Sequence, residues 1–263
     1  MRLIQKLLAN LPRRPILVEP FVGAGALFAN TDHAPVFIND INADLINIYK
    51  QLKHEKTRFI KAAAKYFSGQ YHNPADYYAI RDQFNQSNRP FERACLFLYL
   101  NRHGYNGLCR YNLNGEYNVP FGDYKSPYFP QAELNYFIER LQTVKISNLS
   151  YIDFMKKIAS KADLNNLVFY CDPPYVPLSK TANFTSYSAS KFTLDDQKQL
   201  ADISAQLWKE GAAVMISNHD LPLTRSLYQP AEIKPVLVKR VINCRTDLRL
   251  DVKELLAIYR HKN

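Results

Sequence analysis

Val168-Phe169-Tyr170-Cys171-Asp172-Pro173-Pro174-Tyr175 is an apolar β-type run that ends abruptly in a carboxylate, two prolines and a ring. Its first three residues read as a buried strand of a parallel sheet. The two prolines forbid that strand from continuing, so the chain must turn out at the sheet's carboxyl edge. Open α/β sheets bind their ligands at that edge. One octapeptide therefore predicts both the class of fold and the location of its site.

Each residue of the turn has a chemical use if the ligand is an aromatic amine such as the N6 group of adenine, whose lone pair is delocalised into the ring. Asp172 can accept one N–H of that amine. The Pro173 carbonyl, held out by the stiff Pro173-Pro174 backbone, can accept the other. Two acceptors draw the nitrogen toward tetrahedral geometry and make its lone pair available for attack. Tyr175 then lies against the base plane, where stacking of an unpaired base contributes roughly 1–3 kcal/mol. A plain loop is the alternative, disfavoured by the buried strand directly before it.

Upstream, Ile16-Leu17-Val18 is a short buried strand, and Glu19-Pro20-Phe21-Val22-Gly23-Ala24-Gly25-Ala26 follows as a glycine turn opening into a helix over 27–30. Glycines let a ligand approach the backbone, and a helix amino terminus supplies N–H groups. Val36-Phe37-Ile38-Asn39 is a second strand ending at Asp40. An acidic residue about 20 positions after such glycines is where a ribose is hydrogen-bonded. The third glycine of a nicotinamide-dinucleotide fingerprint is missing, and Glu19 at the strand tip suits an adenosyl ligand with a cationic amino-acid tail. Asp40 has a second reading, as the N-cap of a helix over 42–52.

The chain has 263 residues, 47% of them hydrophobic, enough for one large α/β domain carrying an insertion. A formal charge of +10 favours an anionic partner, most simply nucleic acid. Cys95, Cys109, Cys171 and Cys244 are scattered without Cys-x-x-Cys pairs or nearby histidine spacing, so no metal site and no disulfide framework is expected, and reduced thiols in a cytosol are. Met1 to Pro12 is too short in apolar residues for a signal peptide and reads as an amphipathic helix; no run approaches the ~20 apolar residues of a membrane span.

From Lys56 to about Leu141 strand and helix stop alternating. Residues 59–67, 75–84, 91–102 and 131–142 carry apolar side chains at helical spacing, which predicts an inserted lobe over 56–141 within a domain formed by 1–55 and 142–263. Inside it lies Asn101-Arg102-His103-Gly104-Tyr105-Asn106-Gly107-Leu108-Cys109-Arg110-Tyr111-Asn112-Leu113-Asn114-Gly115-Glu116-Tyr117-Asn118-Val119-Pro120-Phe121-Gly122. Asn114-Gly115 between alternating residues predicts a β-hairpin. The flanks mix Arg102, Arg110, Asn106, Asn112, Asn118, Tyr105 and, just beyond, Tyr124 and Lys125, side chains that stack on bases, read their edges or meet phosphates. A Tyr-rich loop covering the lobe is the structural alternative.

Alternation then resumes with a strand near 144–146, a helix over 151–159, the strand into Asp172, a helix over 194–210 and a strand over 212–216. The polar stretch Leu178 to Ser190 carries two rings, Phe184 and Tyr187, that either close over a flipped base or anchor the loop. Ser217-Asn218-His219-Asp220 ends a strand at the same carboxyl edge, with His219 a general base or the cap of a following helix. Residues 232–241 and 254–259 read as a closing antiparallel pair, and Lys239, Arg240, Arg245 and Arg249 form a basic rim for phosphates or a solvated surface.

Together these motifs resemble the Dam-type DNA adenine-N6 methyltransferases, the D12 class that modifies the adenine of GATC with S-adenosylmethionine. The resemblance runs from Leu11 to Phe192 and through Ser217-Asn218-His219-Asp220. It rests on Glu19-Pro20-Phe21-Val22-Gly23-Ala24-Gly25, on Asn101 to Asn112, and on Asp172-Pro173-Pro174-Tyr175. It implies a Rossmann-like S-adenosylmethionine-dependent methyltransferase sheet with an inserted helical and β-hairpin DNA-recognition lobe, acting as a cytoplasmic, bacterial or phage-encoded monomer on double-stranded DNA. Carried over residue by residue, Asp40 and the Gly23 loop hold the cofactor and Ser150-Tyr151 lie near its adenine. Tyr105 wedges beside the extruded base, Asn106 and Arg110 contact base edges, and Leu108 and Pro120 touch thymine methyls.

Three departures accompany the resemblance. The family's Lys-Trp-Ala-Gly-Gly-Lys stretch, which contributes to the cofactor pocket, precedes the point where this chain begins. Asp123 stands where a basic residue is common. Ile242-Asn243-Cys244-Arg245-Thr246-Asp247 replaces a glycine-containing loop. The first departure leaves one rival, a DNA-binding protein without catalysis. A second rival is an enzyme acting on another amine: cytosine N4, whose enzymes can share the catalytic tetrapeptide, or a glutamine amide.

Overall fold

Short strands with apolar centres, among them the wholly apolar run Leu167–Cys171, alternate with helices along the chain. The computed structural model describes residues 3–125, 127–177, 192–239 and 251–261. In chain order the elements are α1 (Leu3–Asn10), β1 (Ile16–Glu19), α2 (Ala26–Ala29), β2 (Val36–Asn39), α3 (Ala43–Glu55), α4 (Thr57–Ala64), α5 (Pro74–Gln86), α6 (Pro90–His103), α7 (Gln131–Arg140), β3 (Val144–Ser147), α8 (Tyr151–Ala159), β4 (Leu167–Cys171), α9 (Leu194–Lys209), β5 (Ala213–His219), α10 (Pro222–Leu227), β6 (Glu232–Lys239) and β7 (Asp251–Tyr259).

Among the described residues, 3–41, 149–177, 192–239 and 251–261 form one compact unit and 42–148 another. In the first unit the strands follow the order β2-β1-β4-β5-β7-β6. β1 pairs in parallel with β2 and with β4, and β4 in parallel with β5, while β7 runs antiparallel to both β5 and β6. The order reverses at β1: the chain moves from β1 to β2 on one side and returns to β4 on the other. That is the switch point where such sheets open a ligand crevice at their carboxyl ends. All five residues of β4 are buried, as a run of five apolar side chains in a two-sided sheet requires. Val18, Phe169, Cys171, Leu200, Val214 and Ala257 share the core beneath that crevice.

The second unit packs helices around Tyr77, Phe84, Leu96, Phe97, Tyr99 and Tyr117. Its boundaries fall at 41/42 and 148/149, whereas the sequence pattern suggested 55/56 and 141/142. The difference at the first boundary has a local cause. α3 is held to α6 by the paired contacts of Arg93 with Asp44, at 3.0 and 3.1 Å, and by the Asn47 amide on the Pro90 carbonyl.

Three local expectations change. α3 is capped by Asn42, whose Oδ1 accepts from the Asp44 and Leu45 amides, so Asp40 is not the cap. The Asn114-Gly115 turn is closed by a single antiparallel bridge between Tyr111 and Tyr117 rather than by a ladder. The competing acceptor is Asn112 Oδ1, which takes the amides of both Asn114 and Glu116. Finally, the helix after β5 begins behind Leu221, and His219 closes the strand instead of capping it.

Candidate active site

The proline turn leaves β4 with the Asp172 side chain exposed and Pro173 buried beneath it. Ser217, buried on the neighbouring β5, donates its hydroxyl to Asp172 Oδ1 at 2.5 Å. A serine has one proton to give, so the Tyr170 hydroxyl, 3.3 Å away, is the donor in its own contact with Ser217 Oγ. The carboxylate is thus fixed from below while facing outward. Among the described residues no hydrogen bond reaches the Pro173 carbonyl.

A buried polar network fixes the rest of the turn. The Asn218 side chain accepts from the Val176 and His219 amides and donates to Gln197 Oε1 and the Tyr228 hydroxyl. Gln197 Nε2, on α9, donates to the Pro174 carbonyl at 2.8 Å. Every polar atom of the Asn218 amide is satisfied, the condition under which such a network rigidifies its surroundings. His219 Nδ1 lies 2.7 Å from the Val176 carbonyl, and because a carbonyl only accepts, that nitrogen carries the proton. The His219 ring stands edge-on to Tyr175 at 4.9 Å, and the Tyr175 hydroxyl donates to Glu254 on β7. Burial, with Asp172 close by, pushes the Tyr175 phenol far above the usual tyrosine range.

At the end of β1, Glu19 is buried and its pKa is pushed up to about 8 by that burial, opposed by the Phe28 amide and reinforced by Asp172. Its Oε1 has no hydrogen-bond partner among the described residues. Gly23 adopts φ of +48°, and a Cβ placed there would meet nothing within 4 Å, so the turn borders open space. Its amide donates to Asp40 Oδ2 at 3.1 Å. Asn39, fully buried, ties this turn to the loop before α8: its amide bonds the Pro20 and Leu149 carbonyls and accepts from the Leu149 amide. Ser150 caps α8. Phe21 stacks on Tyr151 at 5.2 Å, with the Phe192 ring edge-on to Phe21 at 5.7 Å. The Tyr151 hydroxyl donates to the Asp196 carbonyl. Sequence reading had singled out Glu19, Pro20, Phe21, Gly23, Gly25, Asp40, Ser150 and Tyr151 from two separated stretches, and the fold brings them together on one rim with Asp172.

In the second unit Tyr105, Asn106, Leu108 and Pro120 are exposed, Asn106 with φ of +53°. Tyr124 and Lys125 are exposed as well, and the Tyr124 carbonyl takes a short bond from His72 Nε2. Arg102 is turned toward Tyr128, donating to its carbonyl and lying over its ring. Asn112 spends its side chain inside its own turn, while Arg110 and Asn118 bond each other. Residues 178–190, with Phe184 and Tyr187, the Ile242–Asp247 loop, Arg240, Arg245 and Arg249 lie outside the described residues, as does the Lys239 side chain.

The family model for the D12 class N6 adenine-specific DNA methyltransferase matches residues 1–242. The chain belongs to that family. It is 49% identical over 258 residues to the DNA adenine methylase of Escherichia coli (strain K12), covering 98% of this chain and 91% of that one. Identity is 48% over 259 residues to the Serratia marcescens DNA adenine methylase, at 98% and 94% coverage, and 47% over 258 residues to that of Vibrio cholerae, at 98% and 91%.

This D12 methyltransferase is an adenine-specific enzyme on DNA, which sets aside the readings as cytosine-N4 enzyme, glutamine methylase or non-catalytic binder. No helix among the described residues is long and apolar enough to cross a membrane. Sequence reading missed five residues of this site: Asn39, Phe192, Gln197, Tyr228 and Glu254. A signal existed for Gln197, a polar residue on the same helical face as Leu200, Ala201 and Ser204, all buried.

Proposed function

We propose that this enzyme uses S-adenosylmethionine to methylate N6 of an adenine flipped out of GATC in double-stranded DNA. The observation that carries the reading is Asp172: exposed at the end of a buried strand, pinned by Ser217, and followed by a proline carbonyl that no described donor claims. Asp172 accepts one N–H of the target amine and the Pro173 carbonyl the other. Tyr175, held by Glu254 and His219, offers its ring to the base. Flipping costs a few kcal/mol, offset by the Tyr175 stack and by Tyr105 as the wedge in the vacated duplex. His219 is not needed as a base, since the amine proton leaves only once the nitrogen carries its new substituent.

The site fits S-adenosylmethionine. The buried Glu19 carboxyl group, with one unpartnered oxygen, suits a cationic amino-acid tail, which would favour its ionised form, and the Gly23 turn borders open space. Asp40 suits a ribose, and the Phe21, Tyr151 and Phe192 rings suit an adenine. When bound, the cofactor supplies an electrophilic methyl group. Pro20, Gly25 and Ser150 shape the backbone around these contacts.

The second unit is the target-recognition lobe in this reading. Asn106 and Arg110 read base edges, Leu108 and Pro120 meet thymine methyls, and Arg102, Asn112, Asn118, Tyr124 and Lys125 lie at phosphates. The catalytic domain is the remainder, and the enzyme acts as a cytoplasmic monomer.

The test is incubation of unmethylated duplex DNA with labelled S-adenosylmethionine, followed by cutting at GATC with nucleases that differ in tolerance of methyladenine. Label incorporated without protection of GATC sites would refute the target sequence. Asp172→Ala should abolish incorporation and leave DNA binding within a few fold; unchanged turnover would remove Asp172 from the chemistry.

A further inference from the structure

Arg110 and Asn118 face each other across the Asn114-Gly115 turn, one rung below the Tyr111–Tyr117 bridge, and their contact is more specific than a cross-strand pair requires. Arg110 Nε donates to Asn118 Oδ1 at 2.8 Å, and Arg110 Nη2 donates to the Asn118 carbonyl at 3.0 Å. The Asn118 amide returns a bond to the Arg110 carbonyl at 3.1 Å. A guanidinium has five N–H groups in a planar fork. The side-on pair, from Nε and Nη2, is consumed by Asn118. The end-on pair, one N–H from each terminal nitrogen, remains for a ligand.

Both neighbours of the rung are anchored. The Tyr111 hydroxyl donates to Asp44 Oδ2 at 2.8 Å, and Asp44 is itself held by Arg93. Tyr117 is buried, and its backbone amide and carbonyl are both bonded by the Asn85 side chain on α5. The backbone beneath Arg110 is therefore fixed to two helices, and Asn118 fixes the guanidinium on that backbone.

An end-on arginine fork matches one base edge better than any other: the O6 and N7 acceptors of guanine in the major groove. Pre-orienting it removes rotamer entropy that binding would otherwise have to remove. We infer that Asn118 is a specificity-positioning residue: it holds the Arg110 guanidinium side-on so that its end-on fork is presented to a guanine. The inference rests on Arg110 reading a base edge, as proposed above. It differs there in one respect, because Asn118 acts through Arg110 and not through a phosphate.

The experiment compares kcat/KM on a duplex carrying one GATC site with kcat/KM on duplexes altered at single base pairs, at one salt concentration, for the wild type and for Arg110→Ala, Asn118→Ala and Asn118→Asp. Arg110→Ala should lose roughly tenfold to a hundredfold discrimination at a guanine-containing pair. Asn118→Ala should lose discrimination at that same pair and keep it at the others. Asn118→Asp retains an acceptor for Nε, so it should keep discrimination within about twofold of the wild type while its KM for DNA rises through charge repulsion. An Asn118→Ala loss spread evenly over all duplexes would overturn the inference, as would relaxation by Asn118→Asp equal to that of Arg110→Ala. Should Asn118→Ala prove unfolded by circular dichroism, the Asn118→Asp comparison decides alone. If Arg110→Ala keeps full discrimination at every pair, the base-reading role of Arg110 fails, and the Asn118 inference with it.

Discussion

The Ser217 hydroxyl and the Asp172 carboxylate meet at 2.5 Å across two parallel strands, β5 and β4, whose register pairs Cys171 with Ile216. A buried hydroxyl donating to a carboxylate fixes its rotamer, and hydrogen bonds to charged groups contribute about 1.5–3 kcal/mol. Ser217→Ala leaves Asp172 in place but without the hydroxyl that bonds its Oδ1. Its kcat should fall about tenfold to a hundredfold while KM for DNA stays within about threefold. Steady-state kinetics on a short duplex would check this; unchanged kcat would show that the carboxylate holds its orientation unaided.

Glu19 gives a pH dependence with a definite sign. Its pKa is 4.5 in the unfolded chain and about 8 in the fold, with burial the main cause and the Phe28 amide and Asp172 acting in opposite senses. Between those values the folded state keeps a proton that the unfolded state has released. Stability contributed by neutral Glu19 is therefore full below about pH 4.5 and is lost as pH rises through about 8, a fall on the order of a few kcal/mol. Glu19→Gln, neutral throughout, should match the wild type near pH 5 and exceed it near pH 8 in denaturant titrations without cofactor. Parallel stability curves for the two proteins would show that Glu19 is already ionised in the fold.

The sheet and its crevice were legible because their signals are local. A buried strand stopped by Pro173 and Pro174 can only emerge at the carboxyl edge, and the glycine turn after β1 announces the second wall. What could not be read were contacts between residues far apart in sequence that look ordinary where they stand. Asn39 reads as the polar end of a strand, yet its amide bridges to Leu149, 110 residues away. Gln197 reads as one more polar helix residue until α9 folds over the turn and brings it to the Pro174 carbonyl. The expected ladder around Asn114-Gly115 failed for the opposite reason: Asn112 supplies a side-chain acceptor that outcompetes cross-strand pairing, and no period-2 pattern reveals it.

Gly104 marks where α6 ends and the recognition loop begins. Its φ of −77° suits any residue, so only space decides. A Cβ there would lie 2.6 Å from the Leu100 carbonyl oxygen and 2.9 Å from the Tyr77 hydroxyl. Tyr77 cannot simply move, because it is buried and donates to the Val119 carbonyl. Gly104→Ala should cost about 1–3 kcal/mol by overpacking. The urea midpoint should fall with an unchanged slope, and DNA affinity should weaken with it. A midpoint within error of the wild type would mean that the end of α6 yields easily.

Gln197 offers the sharpest separation of positioning from stability. Gln197→Leu keeps the volume but removes the donor to Pro174 and the acceptor shared by Asn218 and Tyr228, leaving two buried polar groups, and the part-buried Pro174 carbonyl, short of a bond. Each such loss costs about 1–3 kcal/mol, moderated because Asn218 and Tyr228 remain bonded to one another. The melting temperature should therefore drop by several degrees. The chemical consequence is separate: with the Pro174 carbonyl released, the peptide plane between Pro174 and Tyr175 is no longer anchored from α9, and the Pro173 carbonyl, one peptide upstream, loses that support for its aim. Single-turnover rates measured well below the melting transition should fall at least tenfold, with cofactor affinity within about twofold of the wild type. A variant that melts early but turns over at the wild-type rate would reduce Gln197 to a packing residue and leave the prolines alone to hold the acceptor.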